Sequence, residues 1–274
     1  MSDSRKTPVI TLLTDFGLVD PYVPAVKGVI LSLCGDVRLV DVTHSVPPQD
    51  VWAGGYIWAS CYKYFPEGTI HLGVVDPGVG TMRRPVAARI AGHVFVCPDN
   101  GLLSWIAAES PVAEAFELRE DAYFMREPSA TFHGRDIFAP AAAHIANGVP
   151  LSRLGPPADQ LFLLQIPQPR KVSERELLGE VIHIDTYGNL VTNIRLADCR
   201  ELNDWHEADA EVTVGRVSLR GLRRTYSDAP AGESLAYFGS TGRLDIAINM
   251  GNAAQSLGIK RGDMVTLSLG GSAQ

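Results

Sequence analysis

Thr69–Gly80 reads TIHLGVVDPGVG: an apolar, largely β-branched run that ends in an aspartate, a proline and two glycines. Short apolar runs bounded by turn residues are the mark of a buried strand, so Thr69–Val75 predicts a strand and DPGVG the loop that ends it. Val9–Leu13 (VITLL) repeats the pattern and stops at Thr14-Asp15-Phe16-Gly17. Between the two, Val23–Leu33 fits a helix after Pro21, Val37–Val42 (VRLVDV) a second strand, and Asp50–Tyr64 a helix that gives way before Pro66-Glu67-Gly68. Further on, Val86–Ile90 and His93–Cys97 predict a hairpin through Ala91-Gly92. Leu102–Glu109 predicts a helix, Ala113–Leu118 a short strand, and Ile137–Asn147 a helix stopped by Gly148. Strands alternating with helices predict an α/β/α layered domain, and the hairpin makes its central sheet mixed. Three loops at strand ends carry acids, Asp15, Asp76 and Asp99, where ligands of such sheets bind.

A Pro-rich connector, Gly155–Pro169, follows. From Leu178 the pattern changes to short β runs: Gly179–Ile184, Leu190–Ile194, Glu211–Val214, Val217–Leu219, Leu235–Phe238, Leu244–Ile248 and Met264–Leu269. A small β-barrel or sandwich is the natural reading. The expected domains are 1–165 and 166–274.

Composition narrows the classes. Hydrophobic residues make up 46% of the 274 positions and charged ones 20%, which favours a packed core over disorder. A net charge of −7 with no basic block argues against a broad nucleic-acid surface. There is no run of 18 apolar residues to span a membrane, and MSDSRKTP at the start has no secretory h-region, so the cytoplasm is the expected location. Four dispersed cysteines without a CxxC pair suggest neither zinc knuckle nor disulfide framework. GxGxxG and GxxxxGK[ST] are absent, and TDFG lacks the companion motifs of a kinase.

Each polar candidate has a plain and a functional reading. Asp15 either caps its turn or accepts from the vicinal hydroxyls of a ribose. Asp76 ends a buried strand beside Gly78 and Gly80, and Arg83 and Arg84 either pair with it, hold a ligand carboxylate, or are solvated. In TFHGRD (Thr131–Asp136), His133 either starts a helix or handles protons, Gly134 leaves room beside its ring, and Asp136 suits the helix N-terminus. Asp185-Thr186-Tyr187-Gly188-Asn189 is either a hairpin turn or a site where Tyr187 stacks on a purine and Asn189 bonds its edge. His71 and His144 read as packing residues, and His44 as packing or pocket lining. Trp52, Tyr56 and Trp58 read as core. A metal site of Asp15, Asp76, His133 and Asp136 has no supporting spacing, and none is expected.

TDFG (14–17), DVTHSVPPQD (41–50), FPEGTIHLGVVDPGVGTMRRP (65–85), PDNGLLS (98–104), TFHGRDIFAPAAAHIANG (131–148) and IDTYGNLVTNI (184–194) together resemble the S-adenosylmethionine (SAM) hydroxide adenosyltransferase family over nearly the whole chain. The resemblance implies an N-terminal α/β domain with a mixed sheet and a C-terminal β-barrel. It also implies a homotrimer with active sites between the N-terminal domain of one subunit and the C-terminal domain of its neighbour. The implied reaction is SAM plus water giving adenosine and L-methionine, on a small-molecule substrate with no cofactor. The family's catalytic residues match Asp76, Arg83 and His133. Its substrate contacts match Asp15 at the ribose, with Phe16 and Gly134 beside it, and Asp185, Tyr187, Asn189 and Ser240 on the purine and methionine sides. The related fluorinating enzymes have tyrosine and threonine at the positions of Asp76 and Val79, serine at Gly134, and a long insertion in the hairpin that is missing here. An ionised Asp76 repels a halide nucleophile and leaves water unaffected. The alternatives are a SAM-dependent chlorinase, a metal-dependent hydrolase, or a SAM- or nucleoside-binding protein without turnover.

The chemistry asks little of a protein. The sulfonium leaves as a neutral thioether, so the need is an oriented oxygen nucleophile and an acceptor for its proton. Asp76 or His133 fills the acceptor role; the favoured arrangement has Asp76 orienting the oxygen, His133 in the proton path, and Arg83 holding the carboxylate on the side away from sulfur.

Overall fold

The computed structural model describes residues 7–269, so most of MSDSRKTP lies outside the described residues. The chain divides into two compact units between Ile166 and Pro167.

The first unit is built on a six-stranded sheet. Its elements are β1 (Val9–Thr14), α1 (Tyr22–Leu33), β2 (Arg38–Thr43), α2 (Val51–Cys61), β3 (Ile70–Val74), β4 (Pro85–Ile90), β5 (His93–Pro98), α3 (Ser104–Glu109), β6 (Val112–Glu117) and α4 (Ala139–Ala146). The strand order is β2-β1-β3-β5-β4-β6. β1 pairs in parallel with β2 and β3, and β3 with β5, while β4 runs antiparallel to both β5 and β6. The sheet is therefore mixed, as the hairpin required.

Alternation along β1 sorts the two faces. Ile10 and Leu12 join Val26 and Ile30 of α1 and Ala142 of α4 in one buried cluster. From the other face, the Thr11 hydroxyl meets His71 Nδ1 at 2.8 Å, and the ring of Trp58 from α2 stands edge-on to His71 and Phe95. His71 lies flat against Phe95 and is wholly buried, a packing residue as expected. Asp50 caps α2 by accepting from Ala53 N–H at 2.9 Å.

One local expectation fails. Asp136 does not cap the helix at its N-terminus. Gly134–Phe138 form a π-helical turn that runs into α4, and the Asp136 carboxylate bends back to accept from Ser129 N–H at 2.8 Å and from Arg135 at 2.6 Å.

The second unit contains β7 (Arg170–Ser173), β8 (Glu176–Ile184), β9 (Leu190–Arg195), α5 (Leu196–Cys199), β10 (Ala210–Val214), β11 (Val217–Arg220), β12 (Ser234–Phe238), β13 (Arg243–Ile248), α6 (Ala253–Leu257) and β14 (Met264–Leu269). These strands pair antiparallel in the order β11-β10-β14-β8-β9-β13-β12, with β7 added on β8. Arg223, just beyond β11, donates its N–H to Ala236 O of β12 at 2.8 Å, so the sheet curls into a nearly closed barrel. Val181, Ile194, Val212, Leu244, Ile246, Val265 and Leu267 fill it. β7 had no sequence signal: all four of its residues are exposed, so nothing in RKVS alternates between core and solvent.

Candidate active site

The chain leaves β1 toward β2 on one side and later returns to β3 on the other, so the strand order reverses between β1 and β3. A crevice opens at such a switch point, beyond the carboxyl ends of the strands. Thr14 and Val74 are register partners there, which places Asp15 and Asp76 at the ends of adjacent strands. The cavity at this point measures about 340 Å³; Asp15, Phe16, Gln49, Asp76, His133 and Gly134 are among its walls. A groove of about 580 Å³ along β6 has Glu114 and Asp159 but no histidine, cysteine or arginine in its lining.

Asp15 Oδ2 accepts from Gln49 N–H at 2.8 Å, which ties the two wall loops together. Gln49 adopts a φ of +66°, so this loop is bent tightly over the pocket. Phe16, Tyr22 and Phe132 pack ring to ring at centroid distances of 5.2 to 5.9 Å and give the cavity an aromatic side.

Asp76 is the centre of a compact ionic assembly. Arg83 Nε donates to Asp76 Oδ1 at 2.9 Å and Nη2 to Oδ2 at 2.5 Å, a bidentate pair. The Asp76 side chain is only 5% exposed and that of Arg83 9%. Arg83 Nη2 also donates to His133 Nδ1 at 2.7 Å, and its guanidinium lies over the Phe138 ring. Arg83 is thus lodged behind Asp76 and is not among the cavity's walls. Burial and the adjacent Arg83 hold the His133 pKa below its ordinary value, against the opposing pull of Asp76 and Asp136. A guanidinium has no lone pair, so His133 is neutral here with its proton on Nε2. Together the three form a bound, buried carboxylate beside a neutral imidazole N–H, facing an open cavity.

The loops are held by Asn100, which the sequence reading did not single out, and by Arg84, Asp99 and Gly80, whose partners it did not foresee. Asn100 Nδ2 donates to Val75 O at 2.8 Å, directly before Asp76. Arg84 pairs with Asp99 at 2.5 Å, and Asp99 N–H returns a bond to Arg84 O. Gly80 has a φ of +76°, and a Cβ there would come within 2.7 Å of Ala130 O, so only glycine lets the Asp76 loop lie against the loop carrying His133. PDNG was visible in the sequence, but its side-chain donor was not.

The second unit has its own concavity of about 580 Å³, with Tyr187, Asn189, Tyr226, Ile248, Met250 and Asn252 among its walls. Asp185 shapes it. Its Oδ1 accepts from the backbone N–H of Tyr187 and Asn189, both at 2.9 Å, and its Oδ2 from Asn189 Nδ2 at 2.8 Å. Asp185 therefore builds the turn, as one of the two readings expected; Tyr187 on it is 77% exposed, and the buried Asn189 is among the concavity's walls. Ser240 is exposed in the β12–β13 turn and is not part of this lining.

His44 bonds Thr14 Oγ1 through Nδ1 at 2.8 Å and lines neither concavity, and His144 packs against Tyr123. Among the described residues no group of three or more His, Cys, Asp or Glu is placed to hold a metal ion. Asp136, one of the four considered, is already engaged by Arg135 and Ser129.

Residues 10–155 match the SAM hydroxide adenosyltransferase N-terminal domain, and residues 179–266 match the C-terminal domain of the same family. The chain belongs to this family. Among relatives, it is 40% identical over 266 residues to the (R)-S-adenosyl-L-methionine hydrolase of Salinispora tropica, covering 96% of this chain and 99% of that one. It is 30% identical over 294 residues to the fluorinase of Nocardia brasiliensis, covering 97% and 98%. A crystal structure of an uncharacterized conserved protein from Thermotoga maritima superposes with a TM-score of 0.89 at 37% identity, covering 94% and 99%. The family resemblance read from the ordered motifs is thereby shown, and with it the two-part α/β and barrel architecture.

Proposed function

We propose that this protein hydrolyses S-adenosyl-L-methionine at C5′, giving adenosine and L-methionine. The observation that carries the reading is the Asp76–Arg83–His133 assembly at the cavity edge, in a family whose 40%-identical member is named for this hydrolysis. Asp15 binds the ribose diol, with Phe16 and Gly134 lining the sugar. Tyr187 and Asn189 take the adenine, and Asp185 and Ser240 lie on the methionine side.

The oxygen nucleophile is a water placed between Asp76 and His133. Each Asp76 oxygen keeps a lone pair beyond the one that Arg83 occupies, and His133 offers Nε2–H to the same oxygen atom. The C5′–O bond forms as the C5′–S bond breaks, its electron pair leaving on sulfur as a neutral thioether. The proton released passes to Asp76, because the His133 Nδ1 lone pair is already taken by Arg83. Arg83 balances Asp76, so Asp15 remains as a net negative charge on the cavity, which suits a cationic substrate. No cofactor is needed for this displacement. A halide in place of water meets the Asp76 carboxylate at short range, so the chlorinase alternative is disfavoured.

The working form is a homotrimer in the cytoplasm. Family resemblance supports the trimer, as do exposed apolar side chains in the segments that follow Asp15 and Asp76: Val19 and Met82 are 98% and 97% exposed. Among the described residues no helix is long and apolar enough to cross a membrane, and the four cysteines are free thiols.

The test is product analysis in ¹⁸O-labelled water with chloride present. Label in the adenosine 5′-hydroxyl is the expected result. Intact substrate or 5′-chloro-5′-deoxyadenosine overturns the reading, and light scattering of the purified chain checks the trimer.

A further inference from the structure

In the barrel unit a buried carboxyl lies outside the concavity lined by Tyr187 and Asn189. Asp245 on β13 is 9% exposed, and its Oδ1 has no hydrogen-bond partner. It stands opposite Tyr237 of β12 in the ladder, close enough that the Tyr237 hydroxyl favours its ionised form. The backbone at Gly239 closes over it, since a Cβ there would fall 2.1 Å from Asp245 Oδ2. From Tyr237 a chain of polar groups leads to the cavity wall. The Tyr237 and Tyr226 hydroxyls are 2.6 Å apart, and Asn189 Nδ2 donates to the Tyr226 oxygen at 3.3 Å.

We propose that Asp245 is a positioning residue for the purine held by this concavity, acting through Tyr237 and Tyr226 to fix which way the Asn189 amide faces. The proposal rests on the purine reading given above. Asn189 Nδ2 has two hydrogens, and they go to Asp185 and Tyr226. Oδ1 is then the amide atom left for a ligand, an acceptor suited to the exocyclic amine of adenine. With Asp245 ionised, every donor in the chain points toward it: Asn189 to Tyr226, Tyr226 to Tyr237, Tyr237 to the carboxylate. A neutral Asp245 donates instead, the tyrosine hydroxyls reverse, and Tyr226 presents a hydrogen where the amide needs an acceptor.

Burial first, and the Asp185 carboxylate second, raise the Asp245 pKa to about 7, with Arg243 and Tyr237 opposing. Tyr226 stands behind Tyr237, and the β9 residue paired with Asp245 is the apolar Val191.

Two measurements on the full chain separate this proposal from the reading it rests on. In ligand-free protein, the Asn189 side-chain NH₂ resonances should titrate near neutral pH, and the step should vanish in Tyr237→Phe and in Asp245→Asn. By calorimetry, adenosine should bind about tenfold more weakly on the acid side of that step, and Asp245→Asn should stay at the weaker value at every pH. A wild-type amide that does not titrate, or a step that survives Tyr237→Phe, overturns the relay. A titrating amide in a protein that does not bind adenosine leaves the relay intact and overturns the purine assignment.

Discussion

Arg83 Nη2 and His133 Nδ1 are 2.7 Å apart, and the hydrogen between them belongs to Arg83. Protonating Nδ1 would set two donors against each other, so the neutral ring is the form that fits. Burial and Arg83 already lower the His133 pKa, which places the acid limb of kcat/KM below the ordinary histidine value of 6.5. Activity should therefore fall only as the pH drops through that depressed value. His133→Gln, which keeps an acceptor and cannot titrate, should lose the limb; a profile with the same limb in the variant would show that another group controls it.

Removing the Asp76 charge should act on turnover. Asp76→Asn is expected to lower kcat by about 10²–10⁴-fold with KM nearly unchanged. It also leaves the buried Arg83 guanidinium without its counter-charge, a change that typically costs about 3–5 kcal/mol. Thermal unfolding must therefore accompany the kinetics, and a folded variant with full kcat would remove Asp76 from the reaction.

Asp15 should act on binding. The proposed contact with a ribose diol would be shared by ground and transition states, so Asp15→Asn should raise KM about tenfold while kcat holds. A pure kcat loss would contradict the assignment.

Asn100 bonds the strand end that leads into the Asp76 loop through Val75 O. Asn100→Ala should lower kcat about tenfold, the loss of one buried hydrogen bond expressed in alignment, with SAM affinity unchanged. Asn100→Asp, which cannot donate to Val75 O, should do no better, whereas recovery in that variant would point to a cause other than the bond.

His71 governs stability in acid. Burial first, and His93 second, lower its pKa from 6.5 to about 3. The unfolded chain takes up a proton near 6.5 while the folded chain does not, so stability falls as the pH drops from 6.5 toward 3. This single site contributes about 1.4 kcal/mol per pH unit within that window. Denaturant unfolding between about pH 6.5 and about pH 4.5 should give a shallower slope in His71→Asn than in wild type.

The sequence revealed strands more readily than the contacts between their loops. β1 and β3 were legible because both are short apolar runs that end in turn residues, and that also placed Asp15 and Asp76 at strand ends. The hairpin of β4 and β5 was legible from Ala91-Gly92. β7 was not, because an exposed four-residue strand held only by β8 has no apolar pattern. The π-helical turn at Gly134–Phe138 has no compositional signature, and so Asp136 was read as a helix cap when its partners are Ser129 and Arg135. The meeting of Arg83 with His133, 50 residues away in the chain, depends on how Gly80 lies against Ala130, a tertiary fact that no local spacing encodes. Asp245 looked like one more position in a β run until the two tyrosines beside it could be seen.

The register pairing of Thr14 with Val74 has a consequence for anyone who would redesign this protein. The anchor points of the Asp15 and Asp76 carboxylates are spaced by main-chain pairing in the middle of the sheet, not by the loops that bear them. Those loops can accordingly be lengthened, shortened or exchanged to suit another nucleophile while the gauge between their roots stays fixed. Slipping the ladder by one residue would invert every side chain of β1 and abolish both roots together.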